Sequence, residues 1–573
     1  MNMQKNLHVC ASLAFLAAIA IAAQEPAPSA PVGPKAVTPP ASPMIPMQRR
    51  TEAAKPRVVI TADPELDDNN TIIRAILYSS DVKFQGLVYA GSQFHWTGDG
   101  KGTTQYIPGR EYTRIGLCPC TSWRFSPDEH FIDNIVDAYA KVYRNLKVHD
   151  PDYPSPAELK SKIKWGNVDF DGDFSQDTDG SNLIRSLLLD EQPGPLYVTA
   201  QGGQSTIARA LKSIYDQYAK TPQWETVREK VSRKLIIIPS GDQDGTGAAY
   251  IHPNWPNVRE YDFSGINYGY VAQAQLAPEV KPYFTPDWMH DNVTTRGSLG
   301  ALYRVWGDGK QMVKGDRTDY FGLSGYTVEQ LKQMGYMVWM PPQPKGAFLG
   351  EGDTPTFINL INNGLRAYEN PQAGGWGGRM QPGELGSSLF GPPPPIMPAN
   401  THGIARGLAP AGSDANKASV PTKQQSIDVS TFHFPQVSPR AAAINARFLT
   451  AAQNDFAARM QWSVTPKFSE ANHPPVVKIN GPLAISASPG STVRLEGEVS
   501  DPDHNDVHVT WWQYKDVGTY EGDISFSDSG ALVSTFRVPD DAKAGQTINV
   551  ILEGTDNGTP ALTRYQRVVL TIQ

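Results

Sequence analysis

Apolar runs of strand type alternate with stretches of helical periodicity along the first two-thirds of the chain. Residues 57–61 are β-branched and apolar, as in a strand buried on both faces, and helical spacing follows at 71–78. Strand patterns return at 82–90, 195–200 and 234–239, and a helical pattern at 206–218 separates the last two. This order predicts βαβ units, and therefore an α/β domain with a mainly parallel sheet.

The pattern changes after residue 474 to short runs in which apolar and polar positions alternate. Strands are predicted at 476–479, 492–499, 507–514, 532–539, 547–555 and 565–572. This spacing is typical of an all-β immunoglobulin-like sandwich, which we place at 474–573. An amphipathic helical pattern at 439–460, followed by Trp462, predicts that the first domain resumes there and spans 57–469 in total.

Three segments lack the pattern of a packed domain. Residues 1–23 combine a polar start, an apolar run at 9–21 and small residues at Ala20 and Ala22, as in a secretory signal peptide. Residues 24–56 are predicted to be a Pro/Ala-rich linker, and 371–425 a Gly/Pro-rich insert in the first domain. Because a membrane span needs about 20 apolar residues, we expect no span after signal removal, and a periplasmic or extracellular location.

Charge and composition narrow the classes of partner. The chain has 51 basic and 58 acidic residues and a net charge of -7, so nothing in its charge favours a nucleic-acid polymer. Small substrates or neutral polymers fit better. The 12 Trp and 23 Tyr residues are numerous enough to include rings that stack on sugars, although buried packing is the more common use of aromatic side chains.

Three carboxylates crowd the loop that follows the first predicted strand, namely Asp63, Asp67 and Asp68. Like charges at such spacing repel unless a proton or a cation neutralises them. Oxygen ligands favour calcium or magnesium over zinc, which prefers His and Cys. The alternative is that Asp67 or Asp68 caps a helix beginning at Asn69, but a cap needs only one carboxylate. The loop therefore predicts a divalent-cation site.

Other polar residues follow the neighbouring strands, whose carboxyl ends should meet at one crevice. His95 could protonate a leaving group and Trp96 could stack on a sugar, or the two could be a hydrogen-bonded His beside a buried ring. Asp242 and Asp244 could bind substrate hydroxyls, or they could simply turn the chain. The sequence leaves both pairs of alternatives open.

Several separated motifs together resemble a known family. The motifs are ITADPELDD at 60–68, GLVYAG at 86–91, SQFHW at 92–96, GDQD at 241–244 and GGWGGR at 374–379. The first two resemble the opening of the calcium-dependent nucleoside hydrolase fold. The whole set resembles a bacterial family of exported cellulose-binding proteins with a nucleoside-hydrolase-like domain and a C-terminal β-sandwich.

The resemblance implies roles for individual residues. Asp63 and Asp68 would bind calcium, and Asp67 would take a proton from the attacking water, since a nearby cation makes that water more acidic. The backbone carbonyl of Gln201, which precedes a Gly-rich helix start, would be a further ligand.

A late Asp completes the ligand set in the relatives. Asp353 fits because 354–365 is predicted to be a helix and the relatives' ligand opens such a helix. The alternative is that it serves as an N-cap, but the ligand role is favoured and the two roles are compatible. Asp291 is the rival.

Three positions depart from the nucleoside hydrolase pattern. Thr61 stands where those enzymes have another Asp, Glu65 replaces a Gly, and Ser92 replaces an Asn that binds sugar hydroxyls. We still expect Ser92 and Gln93 to contact the substrate with Trp96. The changes weaken the case for a ribonucleoside.

Two cysteines remain in the predicted mature chain. Cys118 and Cys120 are separated by one Pro and lack the second pair that a zinc site would need. A strained bridge and two free thiols are both compatible with this spacing.

Two functions compete on the sequence alone. One is a calcium-dependent glycosyl hydrolase that cleaves an N-glycosidic or related bond in a small glycoside or nucleoside-like substrate. The other is a non-catalytic protein that binds cellulose or another cell-wall polysaccharide. Trp511, Trp512 and Tyr514 in the sandwich are candidate stacking groups for that second function.

Overall fold

The computed structural model describes residues 36–37, 55–107, 110–114, 117–263, 268–270, 272–382 and 446–573. The predicted signal peptide, most of the predicted linker and residues 383–425 of the predicted insert lie outside these ranges. The strands are β1 (Ala36–Val37), β2 (Arg57–Ala62), β3 (Lys83–Tyr89), β4 (Ile163–Trp165), β5 (Leu196–Ala200), β6 (Leu235–Pro239), β7 (Arg259–Phe263), β8 (Met380–Pro382), β9 (Val476–Ile479), β10 (Ala484–Ala487), β11 (Thr492–Ser500), β12 (Val507–Gln513), β13 (Val533–Arg537), β14 (Thr547–Asp556) and β15 (Thr563–Ile572).

The helices of six or more residues surround the first sheet. They are α1 (Leu66–Leu77), α2 (Phe131–His149), α3 (Pro156–Ser161), α4 (Asp179–Leu189), α5 (Ser205–Tyr218), α6 (Trp224–Lys234), α7 (Val328–Gln333) and α8 (Leu449–Val464). Shorter turns of α, 3-10 or π helix are Glu111–Arg114, Gly247–Ile251, His252–Asn254, Ala272–Gln275, Lys281–Phe284, Pro286–Met289, His290–Thr294, Gly297–Gly300, Pro355–Ile358, Pro371–Ala373, Phe468–Glu470 and Lys515–Val517. None of the described helices is long and apolar enough to cross a membrane.

The first domain is built on a sheet of order β4-β3-β2-β5-β6-β7-β8. Every neighbouring pair from β4 to β7 is parallel, and β8 joins the edge in the antiparallel direction. Strands β2, β5 and β6 are buried along their whole length, which is why their sequences are apolar without alternation. The predicted α/β fold with a mainly parallel sheet is confirmed.

Two predicted helices differ from the observed ones. Helix α1 begins at Leu66, earlier than the predicted start, so Asp67 and Asp68 lie in its first turn rather than before it. The predicted helix at 354–365 is wrong for most of its length, because only Pro355–Ile358 is helical. Asp353 therefore directly precedes a single helical turn, whose N-cap is Thr354.

The C-terminal region is a β-sandwich, as predicted. One sheet has the order β1-β12-β14-β15-β10 and the other β13-β11-β9. Alternate residues of β11 point inward, so that Val493, Leu495 and Val499 pack in the core between the sheets. Strand β10, which pairs in parallel with β15, was not predicted, since its partly exposed residues give a weak pattern.

The sandwich packs directly on the first domain. Arg567 donates to the backbone carbonyls of Ala373 and Gly374 at 2.8 and 2.9 Å. The backbone amide of Tyr565 donates to the carbonyl of Asn363 at 2.9 Å. A buried guanidinium that satisfies two carbonyls fixes the relative position of two backbones, so the two parts share one continuous packed region.

The aromatic residues of β12 and the residue after it serve this packing. Trp511 lies in the sandwich core, and Tyr514 is buried with its ring edge-on to Phe448 at 5.7 Å. Trp512 is half-buried against the same Phe448 and donates its indole N–H to Glu553 at 3.0 Å. All 12 Trp residues lie in the described ranges and none is exposed. The three candidate stacking rings therefore do not form an open platform.

A pair of buried histidines lies near the junction of the two domains. His149 Nδ1 is 2.9 Å from His473 Nε2, and His149 Nε2 is 2.7 Å from the carbonyl of Thr465. A carbonyl only accepts, so Nε2 of His149 carries its hydrogen and Nδ1 can accept from His473. Burial lowers the pKa of His149 to about 4. This ring is neutral in the folded protein near neutral pH.

The substitution His149→Gln should flatten the pH dependence of folding stability. The folded protein binds the His149 proton more weakly than the unfolded chain, whose pKa is about 6.5, so this residue makes stability rise between about pH 4 and about pH 6.5. The contribution is at most roughly 3 kcal/mol. Urea unfolding at stepped pH measures it as the difference from wild type. His290→Gln, at an exposed position, is the control, and equal slopes in both variants would contradict the assignment.

Candidate metal-dependent active site

The carboxyl ends of the parallel strands meet at one place, as predicted. Ser92, after β3, donates its hydroxyl to Asp63 Oδ2 of the loop after β2 at 2.7 Å. Gln243, after β6, donates its side-chain amide to the carbonyl of Gln201 after β5 at 2.7 Å. The loops after all four strands are therefore joined by direct hydrogen bonds.

The acidic loop folds back on itself. The backbone amide of Asp63 donates to Asp68 Oδ1 at 3.2 Å, and that of Glu65 donates to Asp63 Oδ1 at 3.3 Å. Asp67 and Asp68 occupy the first turn of α1, where backbone N–H groups lack partners within the helix and favour negative charge. Asp63 and Asp68 are thereby brought together, while both remain buried.

Asp67 is held in one orientation by two donors. Tyr270 donates its hydroxyl to Asp67 Oδ1 at 2.8 Å and also lies 3.2 Å from Glu65 Oε1. The backbone amide of Gly352 donates to Asp67 Oδ2 at 3.0 Å. A Cβ at position 352 would lie 2.5 Å from that same oxygen, so only glycine permits this approach.

A buried ion pair positions the segment that carries Gly352 and Asp353. Arg74 of α1 binds Glu351 through Nε–Oε2 and through Nη2–Oε1, the latter at 3.1 Å. Asn70, one turn earlier on α1, donates to the carbonyl of Gly350 at 2.9 Å. The same helix therefore supplies two candidate site residues and fixes the segment that supplies the next one.

The site carboxyl groups are strongly perturbed. Burial, and then the neighbouring carboxylates, raise the pKa of Glu65 and of Asp68 well above the ordinary values. Burial and then Asp67 do the same to the pKa of Asp353. Burial raises the pKa of Asp67 to about 6, although the hydrogen bonds from Tyr270 and Gly352 oppose the shift. A cation would remove this cost of burying like charges.

The donor set fits a divalent cation. Asp68 Oδ2 is buried and has no hydrogen-bond partner within the described residues. Two groups of possible ligands, each with its atoms within 4.8 Å of one another, are Asp63 with Glu65 and His95, and Glu65 with Asp67 and Asp68. Asp353 is buried nearby, whereas the side chain of its rival Asp291 is 72% exposed. Asp353 is therefore the better placed of the two.

His95 and Trp96 occupy different environments. His95 is buried with Nδ1 at 2.9 Å from Asp63 Oδ1, so it borders the acidic loop. The Trp96 ring is fully buried and is edge-on to Tyr112 and Phe170 at 5.4 and 5.2 Å. This packing favours the core alternative for Trp96 over stacking on a sugar.

The two Asp residues after β6 have local partners. Asp242 accepts from the backbone amides of Gly247 and Ala248 at 3.0 and 2.9 Å. Asp244 Oδ2 accepts from the amide of Ser205 at 2.9 Å, at the start of α5. Both contacts agree with the alternative that these residues shape the loops, and contact with a substrate stays a prediction.

Four glutamines lie in the loops at the strand ends, and the sequence predicts roles for only two of them, Gln93 and Gln201. The amide oxygens of Gln93, Gln201, Gln204 and Gln243 have no hydrogen-bond partner within the described residues, and neither does the amide nitrogen of Gln204. Gln93 donates to the carbonyl of Gln243 at 3.1 Å, so the group is contiguous. Its position after consecutive strands is the sequence signal that could have identified it.

Cys118 and Cys120 are joined by a disulfide. Cys118 packs in a small buried cluster with Trp96 and Trp123, beside the site. Of the two alternatives left by the sequence, the structure contains the bridge.

Comparisons with known proteins agree with this architecture. The model of a family described as "Cellulose-binding Sde182, nucleoside hydrolase-like domain" matches residues 57–380, and that described as "Cellulose-binding protein Sde0182, C-terminal domain" matches 492–572. A solved structure of a nucleoside hydrolase-related hypothetical protein from Saccharophagus degradans, associated with carbohydrate metabolism, is 24% identical with a TM-score of 0.61 and covers 91% of this chain and 100% of that chain. At this identity the likeness shows the fold alone. None of the curated proteins matches the sequence.

Calcium should stabilise the protein more at higher pH. Since the folded state raises the pKa of Asp67 from 3.8 to about 6, the metal-free protein loses stability as pH rises through this interval. A fixed calcium concentration, equal to 100 times the dissociation constant at about pH 7.5, should add about 2.7 kcal/mol to the free energy of unfolding at that pH and less at about pH 5. The free energy of unfolding is measured with calcium and with chelator, at about pH 5 and about pH 7.5. The gain due to calcium is then compared between the two pH values.

Asp68→Asn should reduce that calcium-dependent gain, whereas Asp523→Asn, whose side chain is 84% exposed in the wild type, should leave it unchanged. A gain of equal size at both pH values would rule out relief of carboxylate repulsion as its source.

Proposed function

The chain belongs to the cellulose-binding Sde182 family with a nucleoside hydrolase-like domain, and from this premise we propose that it is a calcium-dependent glycoside hydrolase acting outside the cytoplasm. The observation that carries the proposal is the buried set of carboxylates, in which Asp68 Oδ2 has no hydrogen-bond partner within the described residues. Asp63, Asp68 and Asp353, with the carbonyl of Gln201, would hold the ion. Bound calcium supplies positive charge that makes water a better nucleophile.

Asp67 is the residue we assign as general base. Burial raises its pKa to about 6 in the metal-free protein, and a nearby cation would lower that pKa, so Asp67 would be ionised and able to accept a proton at neutral pH. Tyr270 and Gly352 fix both carboxylate oxygens, so the remaining lone pairs have defined directions. A proton taken from water at this position would allow attack on an anomeric carbon.

The glutamine group supports a sugar as the bound part of the substrate. Gln93, Gln201, Gln204 and Gln243 present amide oxygens that have no partner within the described residues, and sugar hydroxyls can donate to them. These residues are uncharged, in agreement with a neutral substrate. Ser92 donates to Asp63, so it positions a proposed ligand and leaves sugar recognition to the amides. Proton donation by His95 to the leaving group stays a prediction.

Asp67→Asn should lower turnover by at least about 100-fold while calcium still binds, because the amide cannot accept the proton from water. Release of reducing sugar from nucleosides, aryl glycosides and cello-oligosaccharides, with and without chelator, measures this. Asp216→Asn on the surface of α5 is the matched control. Turnover indifferent both to chelator and to Asp67→Asn would eliminate the proposed mechanism.

Gly352→Ala provides a second variant that keeps every carboxylate. The added methyl would lie 2.5 Å from Asp67 Oδ2, so Asp67 must move and turnover should fall with it.

Polysaccharide binding is the second candidate function, because both matching family models carry a cellulose-binding description. The packing of Trp511, Trp512 and Tyr514 argues against a flat aromatic surface on the sandwich. We place recognition instead at the strand-end crevice of the first domain. Binding there needs the hydroxyl-binding groups but not a general base.

The full chain should therefore be retained on insoluble cellulose, and Asp67→Asn should be retained equally. Gln204→Leu should weaken retention by roughly tenfold, because its amide would bind sugar hydroxyls and the leucine cannot. A depletion isotherm on microcrystalline cellulose, with Gln217→Leu at an exposed position as control, measures both. Full retention of Gln204→Leu would exclude the crevice as the binding surface.

A further inference from the structure

His95 is an unusual residue to find beside the acidic loop. Its ring is fully buried, and within the described part of the chain neither ring nitrogen makes a hydrogen bond. Nδ1 lies 2.9 Å from Asp63 Oδ1 but is not aligned to donate to it. A buried imidazole without partners is costly, and a metal ion is a common partner for such a nitrogen.

The possible ligands form two groups that share one residue. Asp67 and Asp68 lie with Glu65 on one side, and Asp63 and His95 lie with Glu65 on the other. Within each group the ligand atoms are within 4.8 Å of one another, and only Glu65 belongs to both. A carboxylate has two oxygens and can contact two cations at once, as in enzymes with paired metal ions.

The two groups differ in chemistry. The group with Asp67 and Asp68 offers oxygen alone, which suits calcium. The group with Asp63 offers an imidazole nitrogen besides carboxylates, which suits a transition-metal ion such as zinc. Glu65 is only partly buried, so its side chain is where an ion could enter.

We propose that Asp63, Glu65 and His95 form a second cation position, selective for a transition-metal ion, and that Glu65 bridges it to the calcium position. This rests on the proposed function, because it takes the calcium position as given. Asp63, which we assign as a calcium ligand, would then contact both ions through its two oxygens, and His95 would bind metal through one ring nitrogen rather than donate a proton from it. Ser92 supports the arrangement by donating to Asp63 Oδ2, which leaves Oδ1 facing His95.

The test is a metal count on the full-length protein. Protein freed of metal by chelation is equilibrated with calcium and zinc, and bound metal is measured by elemental analysis. We expect one calcium and one zinc per chain in the wild type. His95→Gln should lower zinc affinity by at least about tenfold and keep calcium. His290→Gln is the control.

Cobalt(II) gives a readout that does not depend on counting. Bound to the second position, it should show visible absorption bands that His95→Gln changes and His290→Gln does not. Circular dichroism checks that each variant folds.

The outcomes separate this inference from the proposed function. One metal per chain in the wild type, or zinc retained fully by His95→Gln, would overturn the second position even if calcium-dependent turnover were found. Two metals with the predicted loss in His95→Gln, but no turnover of any glycoside, would uphold the second position and remove the hydrolase proposal.

Discussion

Repulsion between buried carboxylates is the constraint that shapes the first domain. Glu65, Asp67, Asp68 and Asp353 each have a raised pKa, so the fold bears the cost of bringing them together. A buried ion pair close to Asp353 holds the surrounding chain in place. Arg74 binds Glu351, which precedes Asp353 by two residues. The side chains of Arg74 and Glu351 are fully buried, so their opposite charges neutralise each other away from solvent.

The irregular chain between β7 and β8 has a definite role in this arrangement. Trp306, Phe321 and Trp339 pack together, and Tyr270 stacks on Phe321 with ring centres 4.8 Å apart. The hydroxyl of Tyr270 then reaches Asp67. An aromatic cluster thus replaces regular secondary structure as the support for a polar contact, since stacked rings fix the position of the phenol oxygen. The aromatic residues of this region serve positioning and packing.

The sequence predicts the parts of this structure that have a strong period or a local motif. Strands β2, β5 and β6 and the cluster of Asp63, Asp67 and Asp68 belong to that class, because burial on both faces and charge crowding are visible within a few residues. Tyr270, Glu351 and Arg74 were not identified, since each acts through a partner about 200 residues or more away in the chain. The predicted start of α1 is too late, because a helix can begin inside an acidic run when its free backbone N–H groups favour negative charge there.

The departures from the nucleoside hydrolase pattern form one connected change. At the position of the missing Asp, Thr61 donates its hydroxyl to the carbonyl of Thr199 at 3.3 Å. A neutral residue therefore makes this contact with the neighbouring strand, and no charge is buried at that position. Glu65 supplies a carboxylate in the loop, where it is only partly buried and lies 3.2 Å from the hydroxyl of Tyr270. Against the pattern that the chain resembles, a carboxylate is thus absent from the buried strand and present in the loop. A carboxylate at that place can meet a ligand or an ion arriving from solvent, which one on the strand cannot, and this shift is the physical reason to expect a substrate other than a ribonucleoside.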